Sequence, residues 1–283
     1  MVRSQKLRQL LKQGTVVVPY TVNAFHAKIA RLVGFQAVYM SGYGVAAERG
    51  YPDVGLITQT EMVQTAKYIV DAVDLPVICD ADTGYGNPIN VWRTTREYEA
   101  IGVSAIHIED QTFPKKCGFF EKKNVISLEE HVQKIRAAVD ARRNDDFIII
   151  ARSDALSVNG WKDTITRSKA YYYDAGADMI FVDGIRTMED LKIYAKELKD
   201  LPRLFNCELR FPCSLGDVVE MGFQIMVVSA TMLAMFKAIR DVLEEVKEKG
   251  VVSSHLTGVR DEMNVMLGVP EIYEMEKRYG CIR

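Results

Sequence analysis

Much is missing from this 283-residue chain, and each absence excludes something. No apolar run approaches the roughly 18 residues that a membrane span needs. There is no excess of positive charge. Lys and Arg number 36 against 38 Asp and Glu, for a net charge of -2, which argues against nucleic acid or an anionic membrane as the main partner. The five cysteines are odd in number and scattered, with no C-x-x-C pair. That usage fits a reducing cytosol in which thiols stay free. Acidic residues are absent from the opening MVRSQKLRQLLKQG, and no apolar core follows it as a secretory signal would require. A transit segment is one reading of that stretch. The pattern favours a short amphipathic helix that closes one end of the fold.

What remains is the composition of a globular protein, 48% apolar and 26% charged. Short β-rich runs alternate with helical stretches throughout. The strand candidates are 15–20, 37–41, 76–82, 105–110, 147–154, 179–184, 203–206 and 224–229. They are rich in Val and Ile and apolar on both faces, as buried parallel strands are. Helical periods occupy 58–73, 89–101, 127–143, 162–175, 187–199 and 230–249. Thr58 with Glu61, and Ser127 with Glu130, have capping-box spacing. Gly102, Gly176 and Gly222 stand where helix ends need a left-handed residue. The phrases EAIGVSAIHIED, YDAGADMIFVDG and VEMGFQIMVVS repeat one αβ theme.

Eight such units predict a single (β/α)8 TIM barrel, a fold of about 250 residues. An open doubly wound sheet is the alternative, but PYTVNAFH after the first strand is not a Gly-rich nucleotide loop. We read 1–283 as one domain, with the barrel over about 15–249 and a helical tail at 250–283. The tail holds EIYEMEKRY and lies outside the eight units, free to dock on a neighbouring subunit.

Catalytic groups of such barrels lie at the C-terminal strand ends. The polar residues there are Ser41, Asp80, Asp82, Glu109, Asp110, Arg152, Asp154, Asp183, Asn206 and Glu208. Asp80 and Asp82 are two apart, so on one strand they point the same way. With Glu109 on the adjacent strand, three carboxylates converge and require a cation. Hard oxygen ligands with room for water suit Mg²⁺. His107 reads as a packed barrel residue. Trp92, Trp161 and the Tyr171–Tyr173 run read as helix-face packing.

The stretch FPKKCGFFEKKN (113–124) directly follows the fourth strand. Its lysines, Lys115, Lys116, Lys122 and Lys123, surround Cys117, and ammonium groups near a Cys lower its pKa. A Cys-Gly on such a loop reads as a reactive group on a mobile lid; an ordinary solvated loop is the plainer alternative. SGYG (41–44) offers backbone N–H groups and a hydroxyl near the barrel mouth, a nest for a carboxylate or phosphate.

The ordered motifs SGYG, YPDVG, DADTGYGN, IEDQTFPKKCG and IIARSDA resemble the isocitrate lyase and phosphoenolpyruvate mutase superfamily. The resemblance runs from about residue 15 to 245 and is densest over 76–155. Within it, the chain is most similar to the branch of methylisocitrate lyase, dimethylmalate lyase, oxaloacetate hydrolase and carboxyphosphonoenolpyruvate mutase-like proteins. The resemblance implies that Asp80, Asp82, Glu109 and Asp53 serve a magnesium ion. Ser41, Gly42, Tyr43, Cys117, Gly118, Arg152 and Asn206 would bind substrate, with Cys117 and Arg152 catalytic. Mutases proper have Asn-Ser in place of Cys117-Gly118, which favours bond cleavage over phosphoryl migration.

Three departures bear on specificity. The family usually reads Cys-Gly-His, and here Phe119 replaces the His. Leu233 stands where methylisocitrate lyase has an arginine for an additional carboxylate. The segment NCELRFPCSL (206–215) is shorter than the usual loop, and Arg210 or Glu208 is the candidate to take over its role. The resemblance therefore implies a magnesium-dependent carbon–carbon lyase acting on a small di- or tricarboxylate such as a substituted malate. Oxaloacetate hydrolysis and phosphonate chemistry are the alternatives, and a non-catalytic dicarboxylate-binding barrel is the reading of another class. It also implies a homo-oligomer, commonly a tetramer.

Overall fold

Eight parallel strands pair in sequence order and close on themselves, β8 returning to β1. The structure, a computed structural model, describes residues 2–208, 211–251 and 256–281. The strands are β1 (Val16–Thr21), β2 (Val38–Met40), β3 (Val77–Asp80), β4 (Ala105–Glu109), β5 (Ile148–Ser153), β6 (Met179–Val182), β7 (Arg203–Cys207) and β8 (Ile225–Val228). All eight predicted runs are strands, and the (β/α)8 barrel expected from them is the fold.

The helices are α1 (Arg3–Gln13), α2 (Ala24–Val33), α3 (Gly42–Glu48), α4 (Gln59–Ala72), α5 (Pro88–Ala100), α6 (Leu128–Ala141), α7 (Leu156–Asn159), α8 (Trp161–Tyr173), α9 (Met188–Glu197), α10 (Leu215–Glu220), α11 (Ala230–Lys249), α12 (Val259–Leu267) and α13 (Val269–Tyr279). Six of these match predicted helical periods within two residues. Helices α2, α3, α7 and α10 lie outside the predicted helical periods. Thr58 and Glu61 form the expected reciprocal cap on α4. On α6 only half of the expected box forms: the Ser127 hydroxyl accepts from the Glu130 N–H at 3.1 Å. Gly102, Gly176 and Gly222 take φ of +87°, +81° and +73°, as their positions required.

Side-chain direction alternates along each strand, so one parity fills the barrel and the other packs on the helices. Val18, Ala37, Tyr39, Ile78, Ala105, Ile150, Phe181, Leu204 and Ile225 belong to the inner cluster. Val38, Cys79, Ile106, Ile149, Ile180 and Phe205 belong to the outer one. Full burial of each large apolar side chain stabilises the fold by about 1.5–3 kcal/mol. Leu7 and Leu10 of α1 join the inner cluster, and Arg3 donates to the Val70 and Val73 carbonyls at 2.9 Å each. The basic N-terminal stretch thus closes the barrel at the end opposite the strand tips.

The far end of the chain is different. Helix α11 buries none of its residues. Leu233, Phe236, Ile239 and Leu243 are all exposed along it. The tail beyond it is helical, as its pattern predicted, and α12 leans on α2. No helix among the described residues is long and apolar enough to cross a membrane.

Candidate active site

Inward parity carries through to the strand tips and selects the groups that share the mouth. Tyr39 leads to Ser41, Ile78 to Asp80, Ala105 to His107 and Glu109, Ile150 to Arg152 and Asp154, Phe181 to Asp183, and Leu204 to Asn206. Glu109 and Arg152 are register partners across β4 and β5, and Asp80 and His107 across β3 and β4. His107 is fully buried, as expected of a packing residue. Its Nε2 lies 2.6 Å from the Tyr39 hydroxyl, and its ring stacks on Tyr39 and meets Phe181 edge-on. Burial lowers its pKa to about 4, so this imidazole beneath the acids is neutral at pH 7.

Asp110 has the opposite parity and points away from the mouth. It accepts from Ser153, Tyr171, Arg167 and the Asp154 N–H, tying β5 to α8. Tyr171 thus packs, as predicted, with its hydroxyl used structurally.

Asp80 and Asp82 converge by a route other than the expected shared strand. Strand β3 ends at Asp80, and Asp82 sits in the following turn with φ +47°. Left-handed backbone is tolerated by Asp better than by most residues. The Asp80 carboxylate holds the turn, accepting from the Asp82 N–H at 2.9 Å and the Gly42 N–H at 3.1 Å. A Cβ on Gly42 would stand 2.7 Å from Asp80 Oδ2 and 3.1 Å from Asp82 Oδ1, so any side chain there would displace the carboxylates.

The loop after β4 lies down over this mouth. A single bridge between Gln111 and Val125 pins its base, and the Gln111 side chain holds the Lys116 backbone. Lys115 is buried, with Nζ 2.6 Å from Asp53 Oδ1 and 2.7 Å from Asp82 Oδ1. Lys123 is buried as well, donating to Asp154 Oδ1 at 2.8 Å and to the Gly118 carbonyl. Between them the Cys117 N–H donates to the Asp53 carbonyl at 3.0 Å. The solvated-loop reading therefore fails for both lysines.

The same geometry corrects the expectation of a low-pKa thiol. Lys115 and Lys123 are committed to carboxylates, and Lys116 donates to the Lys122 carbonyl. Burial pushes Cys117 up to about 12, with Asp183 and Asp53 adding to the rise and the Phe119 N–H and Arg152 opposing it. At neutral pH Cys117 is a thiol that holds its proton.

Arg152 is clamped from below. Its Nε and Nη2 donate to Asp154 at 2.8 and 3.2 Å, Nη2 also pairs with Asp183, and Nε lies 3.2 Å from Glu109 Oε2. Burial would lower its pKa, and Asp154, Asp183 and Glu109 outweigh that and raise it.

The mouth holds more negative charge than its own cations balance. Six buried carboxylates, on Asp53, Asp80, Asp82, Glu109, Asp154 and Asp183, face Lys115, Lys123 and Arg152. Burial would raise Asp80, but His107, Lys115 and Arg152 together bring it down to about 2. Burial raises Asp82 to about 6 despite Lys115, with Asp80 and Asp53 pushing it further up. Burial raises Glu109 well above the usual range. Both Glu109 carboxylate oxygens are buried without a hydrogen-bond partner.

A desolvated carboxylate that is ion-paired to Arg152 on one oxygen but makes no hydrogen bond, beside two others, fits a hard divalent cation. No group of three His, Cys, Asp or Glu among the described residues is placed to grip a metal by itself. That corrects the simple picture of three carboxylates converging directly on an ion. The residues suit Mg²⁺, which keeps several waters and takes only one or two carboxylates directly.

A cavity of about 380 Å³ opens above these groups. Ser41, Tyr43, Asp53, Asp80, Cys117, Gly118, Arg152 and Asn206 line it, together with Phe119, Phe120, Met232 and Leu233. Asp82 and Glu109 sit behind that lining. The SGYG segment is the start of α3 rather than an open nest. Its Gly42 N–H is taken by Asp80 and its Gly44 N–H by the Ser41 hydroxyl, at 3.2 Å. Asn206 accepts from the Tyr20 hydroxyl at 3.3 Å. Glu208 lines the cavity, while Arg210 lies outside the described residues. The sequence reading missed Lys115 and Lys123 as site cations. Counting the inward acids of the strand tips against their single arginine is the signal that would have found them.

Fold and site together define the class: a (β/α)8 barrel enzyme whose acid-rich mouth suits a cation and is roofed by a thiol-bearing loop. The profile of the phosphoenolpyruvate phosphomutase family matches residues 7–247, and the chain belongs to that family. It is 40% identical to the 2,3-dimethylmalate lyase of Eubacterium barkeri over 98% of both chains. It is also 40% identical to the 2-methylisocitrate lyase of Aeropyrum pernix, over 96% of this chain and 88% of that one. A crystal structure of 2,3-dimethylmalate lyase, described as a PEP mutase/isocitrate lyase superfamily member, superposes with a TM-score of 0.92 at 33% identity, covering 99% of this chain and 96% of the other. Oxaloacetate acetylhydrolase bound to 3,3-difluorooxalacetate gives 0.90 at 36%, covering 98% and 97%. Phosphonopyruvate hydrolase bound to oxalate and Mg²⁺ gives 0.90 at 29%, covering 99% of each.

Proposed function

We propose that this protein is a magnesium-dependent carbon–carbon lyase that cleaves a substituted malate to a 2-oxo acid and a carboxylic acid. The observation that carries the reading is the placement of the Cys117 thiol, the Arg152 guanidinium and Asp80 around one cavity. Asp80, Asp82, Glu109 and Asp53 would hold the ion, which supplies Lewis-acid polarisation of the substrate's 2-oxygen and neighbouring carboxylate.

The chain's own residues do the rest. Arg152 and the Ser41–Tyr43 segment orient the carboxylate on which negative charge grows as the bond breaks. Asp154 and Asp183 keep the guanidinium aimed before substrate arrives. The substrate hydroxyl gives up its proton to a basic group of the site. Cys117, held over the cavity, delivers a proton to the carbanion carbon as general acid. A thiol whose proton is held this firmly suits a donor better than a nucleophile. The loop that carries it excludes water from the carbanion.

The same cavity supports a dicarboxylate in preference to a tricarboxylate. Arg152 is the only cationic side chain lining it among the described residues. Leu233, Met232, Phe119 and Phe120 form its outer wall. A third carboxylate there would meet apolar side chains with no cation to pair it. Oxaloacetate hydrolysis is the second reading, favoured by the likeness to oxaloacetate acetylhydrolase. One panel separates these: methylisocitrate, dimethylmalate, other substituted malates, oxaloacetate and phosphonopyruvate, with magnesium or a chelator, products read by NMR. Cleavage of none of the malates would sink the lyase reading.

We extend the proposal to a homo-oligomer, a tetramer by family resemblance, acting in a reducing cytosol. The exposed apolar stripe of α11, with Phe236 62% and Leu243 62% accessible, supports a second copy covering it.

A further inference from the structure

Lys123 has no assigned part in the chemistry above, yet its ammonium is among the most deeply placed in the protein. Its side chain is 1% accessible, and that of its partner Asp154 is 0%. It comes from the far end of the loop that carries Cys117. Its Nζ donates to the Gly118 carbonyl and to Asp154 Oδ1. That same Oδ1 accepts from Arg152 Nη2, while Oδ2 accepts from Arg152 Nε. Asp154 is therefore shared between the loop's ammonium and the guanidinium at the floor of the cavity.

The contacts close into a ring. Arg152 Nη2 also pairs with Asp183, and Gly118 lies against that pair. A Cβ on Gly118 would overlap the Asp183 carboxylate and stand 3.0 Å from Arg152 Nη2. The segment Cys117-Gly118 can descend this far only because it has no side chain there and because Lys123 draws its carbonyl down. Burial alone would raise the Asp154 carboxyl, but Arg152 and Lys123 more than reverse it and hold it low. If the loop lifts, Lys123 and the Gly118 carbonyl leave together. Asp154 then keeps only Arg152, as a desolvated anion with one cation fewer.

We propose that Lys123 is a positioning residue that couples closure of the Cys117 loop to the alignment of Arg152. Closing the loop completes the charge pairing of Asp154 and so locks the guanidinium. It also brings the thiol over the same cavity. Lys115 ties the other end of the loop to Asp53 and Asp82, so the two lysines anchor the loop on opposite walls.

The catalytic half of the test rests on the lyase reading, and the other half does not need a substrate. Lys123→Met and Lys123→Gln are compared with the natural chain by iodoacetamide labelling of Cys117, followed by peptide mass mapping. The coupling predicts labelling at least about tenfold faster in Lys123→Met, and an intermediate rate in Lys123→Gln, which keeps a donor for the Gly118 carbonyl. Cys79, fully buried in the barrel wall, reports global unfolding and should label no faster. With a cleaved malate in hand, kcat should fall by about a hundredfold, the scale of a 1 Å misplacement, with a smaller change in KM, and Lys123→Arg should recover part of it. Unchanged Cys117 labelling in a folded Lys123→Met, or Cys79 exposed in parallel in both variants, would overturn the proposal. If no malate is cleaved by the natural chain, the lyase reading fails while the labelling result still decides whether Lys123 holds the loop closed.

Discussion

Lys115 Nζ lies 2.7 Å from Asp82 Oδ1, so an ammonium from the loop reaches into the acid cluster assigned to the metal. Burial would lower the Lys115 pKa, and Asp82, Asp80, Glu109 and Asp53 raise it instead. The pair supplies part of the positive charge this mouth needs and fastens the loop to the wall where magnesium is proposed to bind.

Removing that ammonium should expose the charge imbalance. Lys115→Met leaves Asp53 and Asp82 buried without their partner, a cost of about 3–5 kcal/mol. Thermal melts of the metal-free variant should show that loss, with magnesium restoring more stability than it adds to the natural chain. Equal magnesium effects in the two proteins would argue against a shared cation site.

Cys117→Ser keeps the loop's backbone contacts and removes a polarisable acid. Magnesium affinity by calorimetry should be unchanged, while turnover falls by about 10²–10⁴-fold, the usual worth of a positioned proton donor. Full activity would remove Cys117 from the chemistry.

The acids impose a pH signature with a definite sign. Asp82 rises from 3.8 to about 6 on folding, so between those values the folded chain holds a proton that the unfolded chain has released. Stability of the metal-free protein from this group therefore falls as pH rises through that window. Glu109, raised by its burial, acts in the same sense. Asp80 and Asp154 are lowered and act in the opposite sense, below about pH 4. Magnesium must displace the protons on Asp82 and Glu109. Its stabilisation in thermal melts should thus grow from pH 5 to pH 8, and a pH-independent increment would contradict the assignment.

Gly42→Ala tests the packing of the two aspartates. A Cβ 2.7 Å from Asp80 Oδ2 must push that carboxylate off its place. Magnesium affinity should drop by about tenfold or more, on the scale of disturbing groups that orient metal ligands, with the fold retained by circular dichroism. Unaltered affinity would place the ion elsewhere.

Much of this was legible in the chain. Buried parallel strands need runs apolar on both faces, and all eight such runs are strands. Asp80, Glu109, Arg152 and Asp183 could be placed because strand parity is a local rule. Asp82 escaped that rule, since its position depends on a left-handed turn held by the Asp80 carboxylate. The state of Cys117 could not be read from adjacent lysines, because Lys115 and Lys123 turn into the barrel to meet acids more than thirty residues away. Short helices such as α3 and α7 carry too few turns to show a period. The role of Phe119 and Leu233 emerges only where the loop and α11 meet over one cavity.

The central claim is that magnesium-assisted cleavage ends with protonation of a carbanion beside a carboxylate. It is tested most directly by running dimethylmalate or a related substituted malate in D₂O with magnesium and following the products by proton and carbon NMR. The account predicts a 2-oxo acid and a carboxylic acid carrying one deuterium on the carbon that left, formed at a rate abolished by chelator. Intact malate under these conditions, or cleavage that proceeds equally well without magnesium, would contradict it.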